Sequence, residues 1–313
     1  MKKLKVLGAL TLIAVMLTAC SNRESKNNEE KDNTINIVTS FYGIEALTEE
    51  IGGDKVSIES VIPEAMEPHD FDIKAKDMKD IEEADIFIYN GAGMESWIED
   101  VEAAISGKEL IVVEASKGVE LINADEEDEE DEEDGEHEGH NHSGKDPHTW
   151  LGLSEAKIQG ENIKNALVEK DAKNKEYYEE NLKIFNEKID NIIKEYNPKF
   201  KELANKNFVT GHATFGYLCR DFGLTQKSIE GVFAEGEPSP KELQNLMEYC
   251  KGNNIKTIFV EELISTQLSD TLAKEVGAQT KQIYTLHSNE DGKSFSDVLK
   301  YNVETIYSAM NNK

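Results

Sequence analysis
Seven histidines are the residues of this chain best suited to chemistry near neutral pH. His137, His140 and His142 lie in the stretch DEEDEEDEEDGEHEGHNHSGKDPH, positions 125–148. The other four share a kind of position. His69 follows an apolar β-rich run in PEAMEPHDFD, and His148 stands in KDPHTWLGL just before a helical pattern that begins near Ser154. His212 follows a second such run in FVTGHATFGYL, and His287 a third in IYTLHSNED. A neutral imidazole is a good ligand for zinc and related transition metals, and a carboxylate can complete such a site. The chain has no HExxH, and His69, His148, His212 and His287 lie far apart in sequence, so a metal site built on them has to be assembled from distant segments. A single histidine is more often a cap, a buried hydrogen-bonding group or a surface residue. The shared placement of four of them is what argues for a joint site.

Eight runs rich in Ile, Val and Phe must position these residues: Ile35–Phe41, Val56–Ile62, Asp85–Asn90, Leu110–Val113, Asn207–Thr210, Ser228–Val232, Thr257–Val260 and Gln282–Leu286. Several are nearly continuous rather than alternating, as in parallel strands covered by helices on both faces. Four runs on each side of the chain's middle predict two α/β lobes, each with a four-stranded, mainly parallel sheet. In such open sheets ligands bind beyond the C-terminal ends of the strands, where the four histidines fall. Between the halves, Leu182, Phe185, Ile189, Ile192 and Ile193 recur on one helical stripe, which predicts one long connecting helix over 169–197, ended by Asn197-Pro198. The expected organisation is an N-terminal lobe over 35–168, with an acidic, His-rich loop at 125–145, and a C-terminal lobe over 198–313.

The chain's beginning predicts its location. Lys2, Lys3 and Lys5 precede the apolar stretch Val6–Leu17, too short for a good membrane span, so residues 1–19 are expected to be a signal peptide. Leu17-Thr18-Ala19-Cys20 resembles a bacterial lipobox, which implies cleavage before Cys20 and lipidation of that cysteine. Residues 20–34, rich in Asn, Glu, Lys and Ser, suit a solvated tether. The full chain has 34 basic and 63 acidic residues, a net charge of −29. Such a surface repels nucleic acid and anionic headgroups and attracts cations. Cys219 and Cys250 remain, either free or paired with each other.

Four segments carry a family resemblance: IVTSFYGIEALTEEIGG; PHDFDIKAKDMKDIEEADIFIYNGAGMESWI; DPHTWLGL; and FVTGHATFGYLCRDFGL with the downstream IEGVFAEGEPSPKEL. Together they resemble the metal-binding solute-binding lipoproteins of bacterial ABC transporters, the cluster 9 group that serves zinc and manganese import. The resemblance implies two α/β lobes with the metal held between them, and metal-ligand roles for His69, His148 and His212. Family members place an aspartate, or a glutamate a few residues later, after the last strand. Here His287 occupies the aspartate position and Glu290 the later one, so Glu290 is the expected fourth ligand, with His287 and water as alternatives. A histidine at position 212, where manganese members carry a carboxylate, favours zinc. The loop resembles the His- and acid-rich insertion of zinc-binding members, which assigns His137, His140 and His142 an auxiliary zinc-gathering role; a merely solvated charge run is the plain alternative.

The function so implied is zinc capture at the outer face of the membrane by a lipid-anchored monomer, and delivery to an ABC permease with its ATPase subunit. The chain is not expected to be an enzyme. Competing readings are manganese or other transition-metal binding, a zinc hydrolase with three histidines and an open water position, and a surface adhesin with a structural metal. Asp70 and Asp146, beside expected ligands, are candidate acceptors for orienting the imidazoles, and Trp150 a candidate wall of the site.

Overall fold
Both lobes rest on a four-stranded, all-parallel sheet with the same strand order, β2-β1-β3-β4 and β6-β5-β7-β8. The structure is a computed structural model and describes residues 34–64, 66–124, 144–233, 238–261, 266–289 and 291–311. Residues 1–33, with the signal sequence, Cys20 and most of the tether, lie outside these, as do most of the acidic loop and Glu290.

In chain order the first lobe runs β1 (Ile35–Thr39), α1 (Tyr42–Gly52), β2 (Val56–Ser60), α2 (Ala75–Glu83), β3 (Ile86–Tyr89), α3 (Ile98–Ile105) and β4 (Ile111–Glu114). Then come α4 (Leu153–Lys170) and the long α5 (Lys175–Glu202). The second lobe runs β5 (Asn207–His212), α6 (Gly216–Phe222), β6 (Thr225–Glu230), α7 (Pro240–Gly252), β7 (Thr257–Val260), α8 (Thr266–Val276), β8 (Gln279–Gln282) and α9 (Phe295–Met310). In each sheet the chain leaves its first strand for one edge and returns to the other side of it. That reversal opens a crevice at the C-terminal ends of β1 and β3, and another at β5 and β7.

The apolar stripe on α5 packs as its spacing requires: Leu182, Phe185, Ile189 and Ile192 are buried. Its bounds differ from the expectation at both ends. The chain breaks at Asp171, whose Oδ2 accepts from the hydroxyl of Tyr178 and the amide of Asn174, so residues 169 and 170 finish α4 instead. At the far end Pro198 does not stop the helix, which continues to Glu202. Phe200 explains the extra turn: it is fully buried, 4.8 Å from the ring of Phe222 and 5.4 Å from that of Tyr307. Packing of that one ring outweighs the proline's missing N–H in a last turn.

Two strands also shift. The last pairs with β7 over Gln279–Gln282, not over the apolar Ile283–Leu286. Those apolar residues are buried beneath α9, where Asn302 replaces the ladder by accepting from Tyr284 N–H and donating to Tyr284 O. β6 forms over Thr225–Glu230, ahead of the expected Ser228–Val232. Ser239 caps α7 through Glu242 N–H, with Pro240 in the first turn, as the sequence predicts.

One apolar core runs from the first sheet through α4 and α5 to Phe208, Phe259 and α9, and a smaller one lies behind β5–β7 against α7 and α8. The lobes therefore share more than a connector. Asp221 on α6 accepts from Leu153 and Ser154 N–H and so caps α4, and Arg220 binds Glu155 at 2.7 Å. Trp150 Nε1 donates to Thr285 O at 2.9 Å. Cys219 and Cys250 are buried and are not joined in a disulfide, and burial pushes the Cys250 thiol up to about 11. Among the described residues no helix is long and apolar enough to cross a membrane.

Replacing Phe200 by alanine should cost about 3–5 kcal/mol of stability, the usual range for emptying a buried aromatic site. Urea unfolding of the two proteins measures it; a loss under 1 kcal/mol would mean that this ring does not hold the last turn of α5.

Candidate metal centre
Three of the predicted histidines meet between the lobes. His69 lies in a single 3-10 turn, Pro68–Asp70, beyond the C-terminal end of β2. His148 precedes another, Thr149–Leu151, and its side chain is fully buried. His212 is the last residue of β5 and is 1% exposed. One ligand atom from each of these rings lies within 4.8 Å of the other two. The Nε2 atoms of His69 and His148 are 3.3 Å apart. Two nitrogens about 2.05 Å from a tetrahedral zinc ion stand about 3.3 Å from each other, so this pair already has the spacing of one edge of such a site.

Burial and hydrogen bonding fix the state of the rings. Burial holds the imidazoles of His148 and His212 down to about 3. Both are therefore neutral, with a lone pair to offer, throughout the physiological range. Asp146 Oδ1 lies 2.8 Å from His148 Nδ1 and accepts the His148 backbone N–H at 2.9 Å. An Nδ1–H donating to Asp146 leaves Nε2 as the lone-pair nitrogen, on the side of His69. Burial also pushes the Asp146 carboxyl up to about 7. Gly216 makes room for it: a Cβ there would stand 2.7 Å from Asp146 Oδ2. His212 differs, since its Nε2–H donates to Val232 O at 3.0 Å and its backbone N–H to Glu261 at 3.3 Å.

The remaining predicted site residues fall elsewhere. His287 is buried but is not part of the three-ring cluster. Its Nδ1 lies 3.3 Å from Thr285 Oγ1 and 3.6 Å from Glu67 of the other lobe, and burial holds its imidazole well below the usual range. Leu286 before it has φ 61°, a left-handed conformation that is strained for a branched side chain. Glu290, His137, His140 and His142 lie outside the described residues. The root of their loop is described: Asn123 and Lys145 form an antiparallel bridge, and Asp146 N–H donates to Ile122 O. The insertion thus leaves and rejoins the body two residues from Asp146 and four from His148 at the nearest. Asp70 is exposed, whereas Asp146 takes the expected orienting position. Trp150 walls the site, with its ring 5.2 Å from that of His148.

Sequence reasoning missed three groups. Glu67 and Glu261 approach His287 and the His212 backbone from loops beyond strands. Asn90, at the end of β3, binds the segment carrying His148 through Pro147 O and the Thr149 hydroxyl. The available signal was its place: a polar residue followed by glycine directly after a buried strand in IYNGAG.

Comparison with known proteins identifies the lineage. The family of zinc-uptake complex component A, the periplasmic protein ZnuA, matches residues 37–309. The chain belongs to this family. It is 36% identical over 311 residues to the high-affinity zinc uptake system protein ZnuA of Bacillus subtilis, covering 97% of both chains. It is 35% identical to the zinc-binding lipoprotein AdcA of Streptococcus pneumoniae, spanning 98% of this chain and 60% of that longer one. Among solved structures, a zinc(II)-bound variant of AdcAII from Streptococcus pneumoniae aligns with a TM-score of 0.78 at 33% identity, over 89% of this chain and 99% of that one. The laminin-binding protein Lmb of Streptococcus agalactiae, described as bifunctional with adhesin and metal-transporting activity, aligns at 0.78 and 31% identity, over 88% of this chain and all of Lmb. The expected fold and family hold, and the family is one of binding proteins rather than enzymes.

The depressed histidines make stability depend on pH. Unfolded, His148 titrates near 6.5; folded, near 3, so its stabilising effect is complete above about pH 6.5 and is lost as pH falls toward 3. Replacing His148 by glutamine should flatten the pH dependence of unfolding free energy in chelator between pH 6 and 4 by about one proton, ~1.4 kcal/mol per pH unit. Denaturant titrations at each pH check it; parallel curves would show that this ring is not held neutral.

Proposed function
We propose that this protein captures Zn²⁺ between its lobes on His69, His148 and His212 and hands it to an ABC permease driven by its ATPase subunit. The observation that carries the reading is the meeting of three imidazoles from remote segments, two already spaced as zinc ligands, in a member of the zinc-uptake family. Nitrogen donors favour zinc over manganese, which prefers more oxygen. Glu290, placed three residues beyond His287, supplies the fourth donor and lowers the net charge of the loaded site from +2 to +1. The acidic insertion, rooted beside Asp146, gathers zinc near the cleft through His137, His140 and His142. Lipidation at Cys20 holds the monomer at the outer face of the cell membrane, within reach of the permease. The shared core and the bonds between lobes restrict release to a modest movement rather than a wide hinge opening.

The similarity to Lmb, described as having both adhesin and metal-transporting activity, supports a second role as an adhesin for laminin alongside the first.

Changing His69, His148 and His212 together to alanine in a protein lacking residues 125–143 should weaken zinc binding by at least about 1,000-fold, on the scale of several lost metal ligands. Competition titration against a chelator of known affinity measures it. Tight one-to-one binding by the triple variant would overturn the reading.

A further inference from the structure
Behind His148 lies a buried polar network that the ligand set does not use. Its centre is Asn90, fully buried at the end of β3. Every hydrogen-bonding position of this residue is filled. Its N–H donates to Glu95 Oε1 at 2.8 Å, and its C=O accepts from Ser116 N–H at 2.9 Å. Its side-chain amide donates to Gly91 O and Pro147 O, both at 2.9 Å. Its side-chain oxygen accepts from Thr149 Oγ1 at 2.9 Å and Gln159 Nε2 at 3.0 Å. Gln159, itself fully buried on α4, also donates to Thr149 Oγ1 at 3.0 Å.

The two far partners, Pro147 and Thr149, are the residues on either side of His148. One amide therefore grips the backbone carbonyl before the ring and the side-chain hydroxyl after it, while Asp146 fixes the ring itself. Glu95 anchors the grip from below by accepting from both Asn90 and Gly91 N–H. The intervening turn needs left-handed backbone at Gly91, Ala92 and Gly93, with φ of 83°, 56° and 89°. A turn with that much positive φ, one residue of it not glycine, persists where surrounding bonds hold it. Buried amides satisfied at every position are rigid, because any shift leaves a polar atom desolvated and unpaired.

We propose that Asn90 is the positioning residue of the metal site: by clamping the chain on both sides of His148 it fixes the separation of the His69 and His148 Nε2 atoms and makes the site select zinc over manganese. This rests on the reading of the cleft as a zinc site. Manganese takes more ligands, with more oxygen among them, so the rings must draw apart to admit them. A clamp that prevents His148 from receding works against that expansion and leaves four-coordinate binding undisturbed. Glu95 and Gln159 act through Asn90, and none of the three touches the ion.

The test uses the full chain and three variants. Asn90→Leu removes the clamp at similar volume, and Thr149→Val removes one arm of it and serves if the first fails to fold. Ile189→Ala, on the buried stripe of α5, is a control for general destabilisation. Zinc and manganese affinities are measured by competition titration, and geometry by the visible absorption of Co²⁺-loaded protein. Asn90→Leu should weaken zinc binding by about 10–100-fold, as loss of a supporting partner of a metal ligand commonly does, and leave manganese binding unchanged or tighter. Thr149→Val should do the same to a smaller extent, and both should weaken the strong tetrahedral cobalt band. Ile189→Ala should lower the thermal midpoint and leave the zinc-to-manganese ratio unchanged. The proposal is overturned if both cleft variants keep the parent's ratio within threefold, or if Ile189→Ala changes it as much as they do. A parent protein without a tight zinc site removes the zinc reading itself, and the proposal with it.

Discussion

Three imidazoles held together, two of them buried and neutral, are the constraint on which this structure depends. Rings brought this close have little attraction for one another, and their nitrogens lose hydration when buried. The fold must hold them there by packing and by bonds to other groups. Trp150 and Phe41 pack edge to face behind His148, Asp146 binds its outer nitrogen, and Asn90 grips its backbone. His212 is fixed by its place at the end of a central strand. His148 and His212 are each held from outside the cluster, by Asp146 and by Val232 O.

That need accounts for features which look separate. The matching strand order of the two sheets sets two crevices face to face, so donors from both lobes converge. A shared core along α5 and α9, with α6 capping α4 across the boundary, keeps the lobes in register. The second boundary, between Glu67 and His287 and between Glu64 and Asn289 N–H, ties the loops at another side of the cleft. On the proposed reading of the cleft, binding relies on preorganisation: the ordering of ligands is completed during folding and not repeated at each capture.

Much of the fold was legible because buried parallel strands have a plain signature. Runs such as IFIY and TIFV are apolar at successive positions, and the stripe on α5 has one period over its whole length. The errors arose where a tertiary contact overrode local signals. Phe200 carried α5 past a proline, and the apolar Ile283–Leu286 found its burial under a helix rather than in a ladder. The three ring positions were legible through their place after strands (His69, His212) or before a helix (His148), and through family resemblance. Asp146 could be anticipated from its spacing to His148. Asn90 showed only its place after a buried strand, not its role, because its partners lie 57, 59 and 69 residues away. Glu67 was hidden in the same way, opposite a histidine more than two hundred residues later.

The most direct measurement is diffraction from crystals of the zinc-loaded protein, with anomalous data collected on both sides of the zinc absorption edge. The account predicts one dominant peak between the lobes, with nitrogens of His69, His148 and His212 each about 2.0–2.1 Å from it. A peak outside the cleft, or one in the cleft from which any of those three rings is absent, would contradict it.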